Sequence, residues 1–471
     1  MFRILVDENN FIQDYGIVLH LPQGDQKVYF ALGLLTGDNL GLNTILGYSM
    51  GFNATYYCRF CTTRKEDLEK DCFVRKENLR RKEKYLNDIH DGLSKSSLNE
   101  YSIWNEVKGF HVYENFASDP LLYEMAEGCL RYEMGHLLYH LMFNEKHFVS
   151  QQLNERMKTF DYYINGFSNR PLVTEEEVKN KHLNMSGTEM INFFLVGDFV
   201  PCDNKFWHFY IALHQVFDII AATNIQTEVS ILLEQQLIFE HHTLYQELFK
   251  DKLKPKHHIM LHFPIMLEMS GPLALFSTMR QESKNRLNKI RANATYSRRN
   301  ITFTLAFKES LQMCYRLISQ KGFTQKFEMG PGNILDQLPE NENLDHSYIP
   351  VDFRATCIEV PWIDKGTKYR IGTCVVLGSD NFELPIFGEI QRIYCRKGFK
   401  VCLVCFTFTT IGFDEHMHAY DVQMSTKISC INIDDLFDHS PLISIRINDG
   451  NTLFLQGMHC EYLQDICKCF H

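Results

Sequence analysis

Residues 27–61 have the sequence KVYFALGLLTGDNLGLNTILGYSMGFNATYYCRFC, and the expected fold depends on this stretch. The apolar run from Lys27 to Thr36 is closed by Gly-Asp-Asn, which predicts a buried strand that ends at Asp38. Cys58 follows Asp38 by 20 residues and forms a Cys-x-x-Cys pair with Cys61. Thiolates bind zinc and carboxylates bind Mg²⁺, so the stretch predicts a metal-binding region.

A second group of metal-ligand residues lies far downstream, in residues 253–263 (LKPKHHIMLHF). His262 precedes Glu282 by 20 residues, the same interval that separates Asp38 from Cys58. Two cysteines and two histidines can complete one tetrahedral zinc site, which would bring Asp38 and Glu282 into one neighbourhood. Either His257 or His258 can accompany His262, since His258 and His262 have the i, i+4 spacing of one helical face.

Two blocks carry a family resemblance: GDNLGLNTILGYSMGFNATYYCRFC (37–61) and LKPKHHIMLHFPIMLEMSGPLALFSTMRQESK (253–284). They resemble cut-and-paste DNA transposases of the CACTA (EnSpm) kind, and the catalytic subunit of the V(D)J recombinase is similar. The resemblance implies an RNase H-like core with an Asp-Asp-Glu triad, in which Asp38 and Glu282 are catalytic and hold Mg²⁺ or Mn²⁺. It also implies a structural zinc held by Cys58, Cys61, His257 and His262, in the spacing HxxxxH.

The chain departs from that family at the first catalytic aspartate, which precedes the Gly-Asp-Asn block in the family. Asp7, Asp14 and Asp25 precede it here, in stretches that predict a helix, a loop and a turn. We therefore expect a transposase-derived protein that lacks its N-terminal part and does not cleave DNA as it stands. Two alternatives are a truncated record of an active transposase and a non-catalytic protein-interaction module.

The residues around Glu282 are strongly basic, although the whole chain carries a net charge of −10. Glu282, Arg286 and Lys289 share one helical face, which favours contact with a DNA backbone. The predicted DNA-binding residues are Arg280, Lys284, Arg286 and Lys289.

The composition is that of an ordinary globular protein, with 471 residues and 45% hydrophobic side chains. The fifteen cysteines are irregularly spaced, which favours reduced thiols inside the cell, and we expect a nuclear protein. No apolar run reaches the roughly 20 residues of a membrane helix, so we expect no membrane partner. Candidate partners are DNA, other proteins or further copies of the chain.

The pattern along the chain predicts an α+β protein in five parts. A partial RNase H-like α/β core (1–62) is interrupted by a large helical insertion (63–250) and resumes in helices with the His pair and Glu282 (251–321). A linker (322–350) rich in Gly, Pro and Asn leads to a small β-rich C-terminal domain (351–471).

Overall fold

The computed structural model describes most of the chain. The described residues are 2–159, 172–185, 196–223, 225, 231, 233–296, 299–320, 327–336, 350, 353, 356–382, 384–396, 400–446 and 452–455.

The N-terminal region contains two small sheets. Helix α1 (Arg3–Tyr15) precedes an antiparallel hairpin of β1 (Ile17–Leu21) and β2 (Gly24–Val28). Strand β3 (Leu35–Gly37) leads into helix α2 (Asn39–Leu46) and pairs in parallel with β4 (Phe116–Ser118). In this register Gly37 lies opposite Ser118, so Asp38 and Asp119 follow the ends of two neighbouring strands.

The predicted single strand from Lys27 to Thr36 is wrong. Lys27 and Val28 end β2, Tyr29 and Phe30 are exposed, and β3 begins only at Leu35. The two ends of this run pair with different partners, one antiparallel to β1 and the other parallel to β4, so they cannot belong to one strand.

Short helices connect α2 to the helical part of the chain. They are α3 (Lys65–Leu68), α4 (Tyr85–Asp91) and 3₁₀ turns at Lys76–Asn78, Lys82–Lys84, Gly92–Ser94 and Ile103–Glu106. One core cluster joins Leu42 and Leu46 of α2 to Tyr85 of α4 and to Phe116 of β4, so it spans both sides of residue 62.

Helices dominate from residue 120 to 319. They are a π-helix (Pro120–Cys129), α5 (Leu130–Tyr139), a second π-helix (His140–Asn144), α6 (Ser150–Thr159), α7 (Glu175–Lys179), α8 (Lys205–Ala221), a third π-helix (Leu233–Ile238), α9 (Phe239–Phe249), α10 (Pro255–Met260), α11 (Phe263–Ser270), α12 (Met279–Asn293) and α13 (Ile301–Ser319), with 3₁₀ turns at Gly197–Phe199 and Leu273–Phe276. Their largest core cluster runs from Ala117 to Leu273. None of these helices, within the described ranges, is both long and apolar enough to cross a membrane.

The C-terminal region is rich in β-strands, as predicted. The strands are β5 (Glu328–Met329), β6 (Asn333–Leu335), β7 (Cys357–Val360), β8 (Trp362–Asp364), β9 (Lys368–Arg370), β10 (Cys374–Ser379), β11 (Pro385–Arg396), β12 (Lys400–Asp414), β13 (Ala419–Asn432), β14 (Asp438–Arg446) and β15 (Thr452–Leu455), with a 3₁₀ turn at Ile433–Asp435. The main sheet has the order β10-β14-β15-β13-β12-β11-β7-β6, and a further pairing of β10 with β11 closes six strands into a ring. The protein is thus of mixed α and β structure with a β-rich C-terminal region.

Candidate metal centre and neighbouring acidic site

Two cysteines and two histidines converge in the core. Cys58 Sγ lies 3.4 Å from His262 Nε2, and Cys61 Sγ lies 3.3 Å from His258 Nε2. The two Nε2 atoms are 3.1 Å apart, and all four ligand atoms lie within 4.8 Å of one another. All four residues are buried. The stretches that contain the cysteines and the histidines therefore meet, as the sequence predicts.

This donor set is compatible with zinc. With Zn–S near 2.3 Å and Zn–N near 2.0 Å, the N–N and S–N edges of a tetrahedral Cys₂His₂ site are about 3.3–3.6 Å, close to the separations found here. The hydrogen bond from Cys58, and then the field of His258, lower the pKa of the Cys61 thiol. Burial raises the pKa of the Cys58 thiol, which favours its protonated form. Zinc would displace the remaining proton, because both sulfurs bind as thiolates.

The cysteine turn is fixed by hydrogen bonds to its backbone. The Phe60 N–H donates to Cys58 Sγ at 3.3 Å, as expected where a thiolate binds metal in a turn. The buried Arg80 guanidinium donates twice to the Cys58 carbonyl, at 3.0 and 3.1 Å. Aromatic rings pack on the histidines, with Phe60 stacked on His262 at 4.7 Å and Tyr57 edge-on to His258. The ligands are held in place by contacts outside the metal-binding group.

The structure does not bring His257, the family-type partner of His262, into this group. His257 Nδ1 accepts the backbone N–H of Lys254 at 2.9 Å, where it caps α10. A neutral imidazole whose Nδ1 is an acceptor carries its proton on Nε2. That Nε2–H points to Glu133 Oε1 at 2.5 Å, so it offers no lone pair to a metal. His258, one helical turn before His262, takes the fourth position instead.

Glu133 belongs to a buried chain of hydrogen bonds that the sequence analysis missed. His242 Nε2 donates to the His257 carbonyl at 2.8 Å, so its Nδ1 accepts from His241 Nδ1 at 3.0 Å. His241 Nε2 is then an acceptor, and it lies 3.0 Å from Glu133 Oε2. Two acceptors at this distance require a proton between them. Burial raises the pKa of Glu133 and lowers that of His241 to about 3, so the proton resides on Glu133.

One sequence signal could have revealed this network. Glu133 lies on the same helical face as Cys129, Leu130 and Leu137, which are all buried. A carboxylate within an apolar face is buried with a partner or in its neutral form. That pattern indicates a buried acid and not a solvated one.

Asp38 is tied to the cysteine turn through its neighbour Asn39. Asp38 Oδ1 accepts the Gly41 N–H at 2.5 Å, so Asp38 is the N-cap of α2. Arg59, between the two cysteines, donates to the Asn39 side chain at 2.7 Å and to the Asn43 side chain at 2.7 Å. The metal-binding turn therefore positions the start of α2 and the carboxylate that precedes it.

Glu282 reaches the same neighbourhood through Tyr123. The Tyr123 hydroxyl donates to Glu282 Oε1 at 2.5 Å. Burial raises the Tyr123 pKa, and the Glu282 carboxylate and then the Asp38 carboxylate raise it further. Asp119 Oδ2 accepts the Thr278 N–H at 2.8 Å and so holds the N-terminus of α12, on which Glu282 lies. Glu282 thus contacts Tyr123 directly, and Asp38 acts on the same phenol only through its charge.

Glu124 is a second acid that the sequence analysis missed at this place. Its Oε1 accepts from the Asn39 side chain at 2.8 Å, whereas its buried Oε2 has no hydrogen-bond partner in the described part of the chain. Burial raises the Glu124 pKa to about 7. The stretch from Asp119 to Gly128 indicates a helix start, and Asp119 is indeed its N-cap, but the helix is of the π type. π-Helical segments are frequent at functional sites, and this one places Tyr123 and Glu124 at the carboxylates.

The three N-terminal aspartates lie in exposed ion pairs. Asp7 is close to Arg3 in α1, Asp14 pairs with Lys108, and Asp25 lies 2.7 Å from His20 in the hairpin. Such surface pairs contribute little to stability. Each of the three carboxylates thus has a basic partner of its own, and none is found in contact with Asp38 or Glu282.

Some basic residues of α12 already form ion pairs within the chain. Lys284 and Arg291 both pair with Glu309 of α13. Arg286 and Lys289 are exposed and make no ion pair with any described residue, whereas the Arg280 side chain lies outside the described residues. Contact of these residues with DNA stays a prediction.

Comparisons with known proteins give no identification. The chain matches no protein-family model and no curated protein.

Proposed function

We propose that this chain derives from a cut-and-paste DNA transposase of the CACTA kind and binds DNA without cleaving it by itself. One observation carries the proposal. The cysteine pair and the His262 region, which the resemblance assigns to one zinc, have their ligand atoms 3.3–3.4 Å apart although about 200 residues separate them in the chain. A structural zinc ion at Cys58, Cys61, His258 and His262 is part of this proposal.

The geometry around Asp38 supports an RNase H-like origin. Asp38 follows the end of β3, which is parallel to β4, and the carboxyl ends of parallel strands are where α/β sheets bind ligands. Glu282 approaches from the first turn of α12, where a helix N-terminus favours negative charge. Mg²⁺ or Mn²⁺ bound here would activate an oxygen nucleophile and neutralise the leaving oxygen of a phosphodiester.

The acidic site lacks a suitable third ligand among the described residues, so we expect no cleavage. Both oxygens of the Asp119 carboxylate already accept hydrogen bonds, Oδ1 from Leu122 and Oδ2 from Thr278. Glu124 is fully buried, and burial raises its pKa to about 7, so its protonated form competes with the carboxylate at neutral pH. Incubation of the purified chain with supercoiled DNA and Mg²⁺ or Mn²⁺ tests this part. We expect no nicked product, and nicking that Asp38→Ala or Glu282→Ala abolishes would contradict it.

A role as a protein-interaction module is the second candidate, and helix α13 favours it. None of its 19 residues, all of which are described, is buried. Its exposed face contains Phe303, Phe307, Leu311 and Ile318, the last of them 87% exposed. Exposed apolar faces of this size mark interaction sites. Two results together would favour this reading over the first. The chain would fail to bind a generic DNA duplex at low salt, and it would be monomeric only after substitution of Phe303 and Phe307.

A further inference from the structure

A second group of metal-ligand side chains lies where helix α8 meets the β-rich region. His214 and Asp218 occupy i and i+4 positions on α8, and His418 comes from the turn between β12 and β13. Asp218 Oδ2 lies 3.0 Å from His214 Nδ1 and 2.7 Å from His418 Nε2. All three residues are buried, and their ligand atoms lie within 4.8 Å of one another.

The charge of this group is unbalanced without a cation. The partners of the Asp218 carboxylate among the described residues are the two imidazoles, and no Lys or Arg side chain pairs with it there. If both rings are neutral and donate one N–H each to Oδ2, one negative charge remains in an apolar core that includes Leu213 and Phe217. Buried charges in proteins are paired or bind metals. A cation is therefore required here, either a proton on one ring or a metal ion.

No hydrogen bond at the second ring nitrogen fixes the tautomer of His418 among the described residues. His418 Nδ1 is buried and has no hydrogen-bond partner among the described residues, while Nε2 points into the group. His258 and His262 show the same arrangement at the Cys₂His₂ group. His257 differs, because the Lys254 N–H fixes its proton on Nε2. Nothing fixes the proton of His418 in that way, so its Nε2 can offer a lone pair. The group of Cys129, Glu133 and His257 is therefore excluded as a metal site, because the proton on His257 Nε2 leaves no lone pair there for a metal.

The turn that holds His418 is already docked on the helical region. Trp207 Nε1, on α8, donates to the His416 carbonyl at 2.7 Å, and His416 Nε2 donates to the Gly197 carbonyl at 2.9 Å. His418 itself has φ of +51°, a left-handed conformation that is unusual for a residue other than glycine. Strained residues of this kind persist where the surrounding structure holds them, commonly at ligand sites.

We propose that His214, Asp218 and His418 bind a second zinc ion, which links helix α8 to the β12–β13 turn. Two imidazole nitrogens and one carboxylate oxygen suit Zn²⁺ and leave one position for water. The ligand separations of 2.7 and 3.0 Å would open to about 3.3 Å around the ion. This proposal is independent of any activity on DNA.

Metal content of the full chain tests the proposal. The protein is stripped with a chelator, reloaded with excess Zn²⁺, gel-filtered and assayed for zinc per chain by mass spectrometry. The double variant Asp218→Asn/His418→Gln should lose one equivalent relative to the wild type. Cys58→Ser/Cys61→Ser should lose a different equivalent, and the matched control Glu133→Gln should lose none. An Asp218→Asn/His418→Gln protein with the wild-type zinc content would overturn the proposal.

A cobalt titration covers the case in which that variant does not fold. In the wild type, Co²⁺ at the Cys₂His₂ group gives sulfur-to-metal charge-transfer absorption, whereas Co²⁺ at a His₂Asp group gives ligand-field bands alone. We expect an equivalent of Co²⁺ that adds ligand-field absorption without added charge-transfer intensity. If every bound equivalent adds charge-transfer intensity, the proposal is wrong.

Discussion

Glu133 Oε1 lies 2.5 Å from His257 Nε2, and both side chains are completely buried. On its other side Glu133 Oε2 lies 3.0 Å from His241 Nε2, an acceptor. Glu133 therefore accepts one hydrogen bond and donates another, which a neutral carboxylic acid can do and a carboxylate cannot. This network holds His257 away from the cysteines and leaves His258 and His262 to face them.

Glu133→Gln should be nearly neutral for stability, within about 1 kcal/mol of the wild type, because glutamine also presents one acceptor and one donor. Glu133→Ala should cost about 2–5 kcal/mol, since it leaves two buried ring nitrogens without partners. Urea denaturation, monitored by tryptophan fluorescence, measures the unfolding free energy of both variants. Trp207 lies in the large core cluster of the helical region and reports on its unfolding. If glutamine destabilises the protein as much as alanine does, Glu133 is ionised and the proton count is wrong.

Glu124 should make the protein less stable as the pH rises. Burial raises its pKa from 4.5 to about 7, so the folded chain keeps a proton that the unfolded chain has already lost. The stability that this group contributes is complete below about pH 4.5 and is lost by about pH 7, a change on the order of 3 kcal/mol. Glu124→Gln should remove that dependence and keep the bond to Asn39. The unfolding free energies of the wild type and Glu124→Gln are measured between pH 5 and pH 8. The same pH dependence in both proteins would contradict a raised pKa of Glu124.

The choice between the two neighbouring histidines predicts different effects on metal binding. His258→Asn should abolish the tetrahedral cobalt spectrum of the Cys₂His₂ group, because a ligand is lost. His257→Asn should keep that spectrum, and its effect on affinity should not exceed the roughly 10–100-fold typical of an outer-shell partner. A cobalt titration with a competing chelator measures both variants. Loss of the spectrum in His257→Asn but not in His258→Asn would instead assign His257 and His262, in the spacing HxxxxH, as the ligands.

DNA binding, if it uses the basic face of α12, should depend on Arg286 and Lys289. Their joint replacement by Ala should lower the slope of log affinity against log salt by roughly two units, because two phosphates lose their counter-charges. Lys82→Ala/Lys84→Ala removes the same charge from another exposed segment and should leave the slope unchanged. Equal slopes for the wild type and the Arg286/Lys289 variant would show that the face is only solvated.

The convergence of Cys58, Cys61 and His262 was predictable, because ligand type and spacing survive in the sequence whatever lies between them. The identity of the fourth ligand was not. It depends on the Lys254 N–H and on Glu133, which reach His257 only in the folded chain. Sequence periodicity likewise could not show that the run from Lys27 to Thr36 divides between two sheets, since pairing partners decide that.

The β-rich C-terminal region was predictable from short β-rich runs separated by Gly, Asn and Asp, because runs of β-formers bounded by turn residues are typical of strands. The closure of six strands through β10 and β11 is a long-range pairing that local pattern does not encode. Tyr123 and Glu124 were missed for the same reason. Their roles come from contacts with Glu282 and Asn39, far away in the chain.

X-ray absorption at the zinc K-edge tests the central claim most directly, with the Asp218→Asn/His418→Gln protein loaded with one equivalent of zinc. We expect a first shell of two sulfurs at about 2.3 Å and two nitrogens at about 2.0 Å, and loss of the sulfur shell in Cys58→Ser/Cys61→Ser. A first shell without sulfur, or one of four sulfurs, would contradict a zinc ion shared by Cys58, Cys61, His258 and His262.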